Sequence, residues 1–258
     1  MILVIGDLIS DYTRICRATR LCPEAPVPVL VQDEEYTTRG GAGLVVEQMR
    51  EFLGARVQSY FGSFSVKERI FADSHLVARI DNDRKEVTEW TWDLLKNIGR
   101  DILSSSAVVV SDYDKGAITE LGASYIVGYA LQKNIPVFVD SKKNWKWYEG
   151  AFAMFPNEPE GYGTAFPCKH IIRKMGAKGC MIDGEMIPGD SSRKVVDVTG
   201  AGDIFLASFV SRYIAQVEDA GVIAPIEGIL RDCAKFANHV AGLSVEYVGT
   251  HVVKGIRY

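Results

Sequence analysis

The chain has 258 residues, of which 47% are hydrophobic and 24% are charged, an ordinary composition for a globular protein with a full core. Its formal net charge of −4 gives it no general attraction for nucleic acid or for an anionic membrane surface. We therefore expect neither as a partner, and no stretch of the sequence approaches the length of a membrane span.

The cysteines and the N-terminal segment both favour a cytoplasmic protein. Five scattered cysteines form no Cys-x-x-Cys metal motif, and their odd number argues against a complete disulfide framework. Residues 1–5 are apolar, but they lack a basic lead and are followed by Gly6 and Asp7, as in a first buried strand rather than a signal peptide. We expect the thiols to be reduced.

Strand and helix signals alternate along most of the chain. This alternation predicts an α/β fold, with a mostly parallel central sheet flanked by helices, in one domain over residues 1–258. Apolar runs predict strands over residues 1–5, 57–62, 107–112, 136–140, 152–157, 170–175 and 180–182. Helical periodicity predicts helices over residues 44–53, 92–103, 120–132 and 226–245, and one more in the apolar run after residue 203.

Two carboxylates follow the first predicted strand. We expect Asp7 and Asp11 in the turn at its carboxyl end, which is where ligands gather in open α/β sheets. Both are candidates for binding hydroxyl groups. An Asp that only caps the turn is the alternative, and it fits Asp7 better than Asp11.

Two further segments predict a small β lid, over about residues 12–39 and 66–82. In the first, prolines alternate with β-forming residues, which suits a sheet rim or a flap rather than a central strand. The second holds two β-like runs joined by a short polar link at residues 73–75, which suggests a hairpin without one of the strong two-residue turns. Its cations are Lys67, Arg69 and Arg79.

Polar residues also follow the later strands. Asp112 with Lys115, and Asp140 with Lys142, place a lysine just beyond two strand ends, where it could meet a phosphate, pair with its neighbouring Asp, or be solvated. Asn157 and Glu160 stand three apart at the next strand end. They could hold a hydrated Mg²⁺, or they could form a polar turn.

The segment from Asp197 to Asp203 is the most informative stretch. It follows a β-rich approach over residues 194–196 and runs into an apolar helix, so Gly200, Ala201 and Gly202 form a helix start that attracts anions. A carboxylate there conflicts with a bound anion. Asp203 is therefore either a helix cap or a general base that takes the proton of a hydroxyl attacking a phosphoryl group.

With these positions assigned, the sequence resembles the ribokinase-like, or PfkB, carbohydrate kinases over nearly its whole length. Within that superfamily it resembles most the kinase domain of bacterial ADP-heptose synthesis enzymes, which phosphorylates heptose 7-phosphate at the anomeric oxygen. The motifs that carry the resemblance are Asp197 to Asp203, Gly6-Asp7 with Asp11, the run Pro23 to Val29, Gly40-Gly41-Ala42, Ser111-Asp112-Tyr113 with Lys115-Gly116, and Asn157 with Glu160.

The resemblance implies an ATP-dependent and Mg²⁺-dependent sugar kinase with a ribokinase-like fold. Asp203 would be the base and residues 200–202 the anion hole. Sugar or sugar phosphate would contact Asp11, Gly40, Gly41, Lys67, Arg69, Arg79, Asp112 and Lys115. Nucleotide would lie near Lys142, Asn157, Gly176, Gly179 and Asn238. Asn157 and Glu160 would hold Mg²⁺ through water. We also expect a homodimer, because a small lid with exposed edges is poorly stable alone and relatives pair through it.

Three departures from the family keep other functions open. The chain is shorter than its relatives after residue 64 and after Glu160, Leu44 replaces an Asn, and the strand before Lys142 ends in Asp140-Ser141 where Asp-Pro is usual. A kinase of another sugar or a nucleoside is one alternative, and a non-catalytic sugar-binding or nucleotide-binding descendant is another. A Rossmann-type dehydrogenase is disfavoured, since no Gly-x-Gly-x-x-Gly follows the first strand.

Overall fold

The central sheet joins strands that are far apart in the sequence. The computed structural model describes residues 1–83, 87–160, 165–190, 192–218 and 225–256. Its strands are β1 (Ile2–Leu21), β2 (Pro28–Gly41), β3 (Val57–Ala72), β4 (His75–Asn82), β5 (Ala107–Asp112), β6 (Val137–Ser141), β7 (Ala151–Met154), β8 (Cys168–Lys174), β9 (Gly179–Ile182) and β10 (Glu185–Pro188). Its helices are α1 (Ala42–Leu53), α2 (Trp92–Leu103), α3 (Glu120–Gln132), α4 (Ala201–Glu218) and α5 (Ile226–Ser244).

The strand order is β10-β9-β8-β7-β6-β5-β1-β3-β4, with β2 paired to β1. Neighbours from β3 through β8 run parallel, and β9, β10, β4 and β2 each pair antiparallel with a neighbour. The predicted fold class, a mostly parallel sheet flanked by helices, is confirmed.

Both faces of the sheet are buried, as a parallel sheet requires. Side chains alternate along β1, so that Ile2 and Val4 enter a core under α1, α4 and α5, whereas Leu3 and Ile5 enter a second core under α2 and α3. Continuous apolar runs in the sequence therefore correspond to strands covered on both sides. Among the described residues, no helix combines the length and apolarity needed to cross a bilayer.

The first strand does not end where the sequence suggested. We expected a turn at Asp7 and Asp11, but β1 continues to Leu21, with a register shift against β3 between Gly6 and Asp7. Pairing with β2 on one side and β3 on the other keeps the chain extended. The carboxylate of Asp7 is buried and accepts hydrogen bonds from the amides of Tyr113 (2.7 Å) and Ala117 (2.9 Å), so it holds the loop after β5.

The strands β1 and β3 continue beyond the main sheet, and β2 and β4 pair with them there. We call this four-stranded part, residues 8–41 and 63–82, the strand extension. It consists of the second halves of β1 and β3 together with β2 and β4. It includes both segments expected to form the lid. The expected hairpin joins β3 and β4, but its turn is a tight two-residue one, because Asp73 and Ser74 both adopt positive φ (49° and 70°).

Two further expectations differ from the structure. Residues 194–196 are not a strand. The amides of Val196 and Asp197 donate to the carbonyl of Val245 at the end of α5, so they do not pair with a neighbouring strand. The strand β10 was not predicted, since its four residues form a short edge strand whose order comes from pairing with β9.

Candidate active site

The loop before α4 is fixed by one carboxylate. Asp197 accepts hydrogen bonds from the amide (2.9 Å) and hydroxyl (2.7 Å) of Thr199 and from the amide of Gly249 (2.8 Å). Gly200 follows with φ of 77°, a conformation that favours glycine, and α4 begins at Ala201. The amide of Ala201 donates to the carbonyl of Val198 (3.2 Å) and closes the turn. The amides that follow in the first turn of α4 have no partner within the helix, so this end presents donors to an anion.

Asp203 lies in the first turn of α4 and is 2% exposed. Burial raises the pKa of its carboxyl to about 6. A hydrogen bond from the Tyr113 hydroxyl (2.8 Å) lowers this pKa, the neighbouring carboxylate of Asp140 raises it, and the ammonium groups of Lys142 and Lys174 lower it. A carboxylate with this pKa is largely ionised at pH 7 and is still basic enough to take a proton. Asp203 therefore has the properties of a general base.

Two lysines flank the Tyr113 ring. The Nζ atom of Lys142 lies 5.1 Å from the ring centroid, and that of Lys67 lies 5.4 Å away. Lys142 is also 3.5 Å from Glu160 and 3.6 Å from Asp140. Burial lowers the pKa of Lys142, but these carboxylates outweigh burial and its pKa is raised overall, so it remains a cation.

A third lysine lies beside the helix start. Lys174 ends β8, is 8% exposed, and forms an ion pair with Asp140. A Cβ atom added to Gly202 would lie 3.4 Å from the Lys174 Nζ atom, so the ammonium group faces the first turn of α4.

The strand register gathers the predicted sugar-binding cations. Asp11 pairs with Lys67, and Arg69 pairs with Arg79, all at odd positions of strands that lie side by side. These residues therefore share one face of the strand extension. Arg69 forms an ion pair with Asp11 and also reaches the Thr199 hydroxyl at 3.5 Å, which connects this face to the loop before α4. Burial lowers the pKa of Lys67, and Asp11 opposes that change.

The absence of a side chain at Gly40 lets the Asp11 carboxylate pack against the backbone. A Cβ atom on Gly40 would lie 2.4 Å from the Asp11 carboxylate, and Gly41 has φ of 58° immediately before α1. Leu44, in the first turn of α1, is buried and faces the loop before α4 rather than Asp11. A Cβ atom added to Gly200 in that loop would lie 2.6 Å from the Leu44 Cδ2 atom.

Two predicted substrate residues are occupied by protein groups. The buried carboxylate of Asp112 accepts hydrogen bonds from the Tyr148 hydroxyl (2.7 Å) and the Ser141 hydroxyl (2.8 Å). The ammonium group of Lys115 lies 2.5 Å from Asp83. Because these contacts hold loops together, we do not retain either residue among the substrate-binding groups.

A cavity of about 510 Å³ opens on the other side of the helix start. Its lining includes four predicted nucleotide residues, Asn157, Gly176, Gly179 and Asn238, together with Ala201, Gly202 and Lys174. Apolar side chains of Val195, Val198, Phe205 and Val245 line it as well, which suits a flat, largely apolar ring. Asn238 also donates to the carbonyls of Ile187 (3.2 Å) and Pro188 (3.3 Å), so it fixes β10. Lys142 does not line this cavity.

Asn157 and Glu160 are in contact beside that cavity. The Asn157 side-chain amide donates to one Glu160 oxygen (2.6 Å), and its backbone amide donates to the other (2.8 Å). Among the described residues, no group of three or more His, Cys, Asp or Glu side chains could enclose a metal ion. One carboxylate and one amide oxygen fit a hydrated Mg²⁺ that takes few ligands from protein.

Sequence reasoning did not assign a role to Tyr113 or Lys174. Tyr113 carries no signal of its own, because its contact with Asp203 joins residues 90 positions apart. Lys174 did carry one: it stands two residues after Ile172 in β8, so the alternation of the strand places both side chains on one buried face, where a lysine is costly unless it is paired.

The fold and the arrangement of this site are similar to those of carbohydrate kinases. A model described as the pfkB family carbohydrate kinase matches residues 82–254, and the chain belongs to that family. The fold is similar to that of phosphofructokinase-2 from Escherichia coli in complex with potassium (TM-score 0.71, 13% identity, 98% of this chain and 95% of that one). It is also similar to Arabidopsis thaliana ribokinase complexed with ribose and ATP (TM-score 0.65, 17% identity, 96% and 93%).

Curated relatives resemble the chain more closely in sequence. The bifunctional protein HldE of a Nitratiruptor species is 29% identical over 300 residues, covering 96% of this chain and 62% of the relative. That of Sulfurimonas denitrificans is 29% identical over 307 residues, covering 98% and 62%. The chain therefore spans about three fifths of the length of these relatives. Both alignments are longer than the 258-residue chain, so the relatives carry residues that it lacks.

The loop geometry can be tested with Gly200→Ala. The added Cβ atom would meet Leu44 at 2.6 Å and Thr250 at 2.9 Å, in a backbone conformation that L residues rarely adopt. We expect a loss of about 1–3 kcal/mol in the free energy of unfolding and a fall in turnover of about 10²-fold, because the anion-binding amides are displaced.

Gly228→Ala is the matched control, since Gly228 lies in α5 with open space around its Cα atom. It should keep wild-type turnover and gain up to about 1 kcal/mol in stability. Urea unfolding and steady-state kinetics measure both effects. Wild-type turnover in Gly200→Ala would contradict the role assigned to the loop.

Proposed function

We propose that this carbohydrate kinase transfers the γ-phosphoryl group of ATP to a hydroxyl of a heptose phosphate or a related sugar phosphate. The observation that carries the proposal is the buried carboxylate of Asp203 at an anion-binding helix start. It lies between a cavity of about 510 Å³ and a strand face that bears Asp11, Lys67, Arg69 and Arg79. The cavity suits the nucleotide and the strand face suits the sugar phosphate.

The transfer proceeds directly, without a covalent enzyme intermediate. As the sugar hydroxyl oxygen bonds to the γ-phosphorus, the bond from that phosphorus to the β,γ-bridging oxygen breaks, and ADP leaves with the electron pair. The hydroxyl proton passes to Asp203. Gly200, Ala201 and Gly202 stabilise the charge on the phosphoryl oxygens through backbone amides, which are already oriented before the reaction.

Asn157 and Glu160 would hold Mg²⁺ through its water molecules. When bound, the ion neutralises part of the charge on the nucleotide phosphates. Lys142, 3.5 Å from Glu160, lies within reach of the same phosphates, so we assign it to the nucleotide side with Gly176, Gly179 and Asn238. These four residues and Asn157 form the proposed nucleotide site.

The sugar side follows from the strand extension, which we propose acts as a lid. Asp11, which packs against the Cα atom of Gly40, offers a carboxylate for sugar hydroxyls. Lys67, Arg69 and Arg79 are the cations of this face; Arg69 is paired with Asp11 and Arg79 with Asp81, and a distal phosphate would compete with these carboxylates for them. This combination favours a phosphorylated sugar, and the motif resemblance to the heptose branch narrows the substrate to a heptose phosphate or a similar molecule.

One observation weighs against each of the two alternative functions. Leu44 was a reason to consider another sugar or a nucleoside, but it is buried against Gly200, so its side chain supports the loop rather than selecting a substrate. A non-catalytic descendant would not need a buried, high-pKa carboxylate; the cost of burying Asp203 favours an active enzyme.

An assay of ADP release with a panel of sugar phosphates, sugars and nucleosides tests this function. We expect the wild type to turn over a heptose phosphate or a related sugar phosphate best. Asp203→Asn should lose at least about 10²-fold in kcat while it still binds nucleotide, because only the base is removed. Asp93→Asn, which changes an acid in the first turn of α2, should keep full turnover.

Three results of this panel would change the proposal. Preference for a nucleoside would mean that the substrate is a nucleoside rather than a sugar phosphate. Absence of turnover on every acceptor, with ligand still bound, would establish a binding protein instead of a kinase. Full turnover in Asp203→Asn would remove that residue from the mechanism.

We further propose a cytoplasmic homodimer that pairs through the strand extension. All five cysteines are free, as expected for a reducing compartment. Every residue of β4 is exposed, and its outer edge has no partner strand among the described residues. Phe64 and Ile80 expose apolar side chains on the face opposite Arg69. Such a surface gains from being covered by a second copy.

Light scattering at micromolar concentration tests the dimer. We expect the wild type to have twice the chain mass, and Ile80→Lys to be a monomer because a charge would be buried in the interface. Leu103→Lys is the matched control, since both side chains are 51% exposed and Leu103 lies on α2; it should remain a dimer. A monomeric wild type, or a dimeric Ile80→Lys, would contradict the proposal.

A further inference from the structure

Lys174 is a buried cation without a role in the mechanism above. It is 8% exposed, at the carboxyl end of β8, and its backbone amide donates to the carbonyl of Pro156 at 2.8 Å. An isolated bridge to Asn157 fixes the same position. The sheet therefore fixes the backbone of Lys174 next to a proposed nucleotide-binding residue, and the ion pair with Asp140 holds its side chain.

Burying this ammonium group is unfavourable by itself. Burial lowers the pKa of Lys174, and the Asp140 carboxylate opposes the change. Asp140 is 1% exposed and lies between Lys174 and Lys142, whose Nζ atom is 3.6 Å from it. Lys142 also lies 3.5 Å from Glu160, so each of the two ammonium groups has a carboxylate partner. An apolar pair of similar volume would stabilise the fold at least as well, so stability alone does not explain the charges.

The position of the ammonium group gives it a use. Lys174 lines the cavity of about 510 Å³ together with Ala201 and Gly202. A Cβ atom added to Gly202 would lie 3.4 Å from its Nζ atom, which means that the cation adjoins the backbone of the proposed anion hole. An ammonium group has three N–H donors and can keep Asp140 while it binds a second oxygen.

We propose that Lys174 is a catalytic residue whose ammonium group binds an oxygen of the transferring γ-phosphoryl group, with Asp140 as the residue that positions it. This inference rests on the proposed kinase function and adds a side-chain cation to the backbone amides of residues 200–202. Lys174 keeps its protons throughout: the sugar hydroxyl proton passes to Asp203, the new O–P bond forms at the sugar oxygen, and ADP leaves with its electron pair.

The proposal predicts that a change at Lys174 affects the affinity for ATP but not that for ADP, because only ATP carries the γ-phosphoryl group. In Lys174→Met, calorimetry with Mg²⁺ and a non-hydrolysable ATP analogue should show affinity lowered about tenfold, the loss of one charged hydrogen bond. Affinity for ADP should stay within about twofold of the wild type, a difference below 0.5 kcal/mol. kcat should fall about 10²-fold to 10³-fold, as when an oxyanion donor is removed, with little change in the KM of the sugar.

Lys169→Met is the matched control, since Lys169 lies at the other end of β8 and faces solvent. It should retain both affinities and full turnover. Because Lys174→Met leaves the buried carboxylate of Asp140 with one partner fewer, the double variant Asp140→Asn/Lys174→Met is measured in the same way. It removes both charges and serves if the single variant does not fold.

The binding arm distinguishes a failure of this inference from a failure of the kinase proposal. If the wild type turns over no acceptor, the kinase proposal fails, but a selective loss of the ATP analogue in the variants still supports contact with the γ-phosphoryl group. Equal losses for the analogue and ADP, or no loss of either, would overturn the assignment of Lys174. Failure of the wild type to bind any nucleotide would overturn both.

Discussion

The site depends on keeping one carboxylate buried beside a helix start that attracts anions. Burial raises the pKa of Asp203 to about 6, and four surrounding groups adjust it in opposite directions. The rest of the structure supplies those groups: Tyr113 from the loop after β5, Asp140 and Lys142 from the end of β6, and Lys174 from the end of β8. A parallel sheet can do this because the carboxyl ends of its strands meet at one edge.

Much of the fold could be predicted because its signals are local. The bounds of α2 and α3 follow directly from helical periodicity, and β5 follows from a continuous apolar run. The continuation of β1 beyond Asp7 could not be predicted in this way. Its cause is tertiary, since Asp7 turns inward to accept the amides of Tyr113 and Ala117, and a residue that resembles a turn former becomes a buried anchor. The same reason applies to β10, whose order comes from its neighbour.

The candidate site divides similarly. The loop before α4, Asp203 and the pair of Asn157 and Glu160 could be proposed from motifs, because the residues of each motif lie close together along the chain. Asp112 and Lys115 could not be excluded from sequence, since their partners, Tyr148 and Asp83, are distant in the chain. Lys174 shows the opposite case. Its position on the same strand face as Ile172 was visible in the sequence, but its possible role becomes clear only when the fold places Gly202 beside it.

The central claim, that Asp203 is a base tuned by burial and by Tyr113, is tested most directly by the pH dependence of kcat/KM. A base must be ionised, so activity should rise with pH through about 6 in the wild type and level off above it. Tyr113→Phe removes a hydrogen bond that lowers this pKa, and its acid limb should move upward by about one unit. Substrate phosphates also titrate near pH 6, but they are common to both proteins, so the shift between them is decisive. Coincident acid limbs for wild type and Tyr113→Phe would contradict the account.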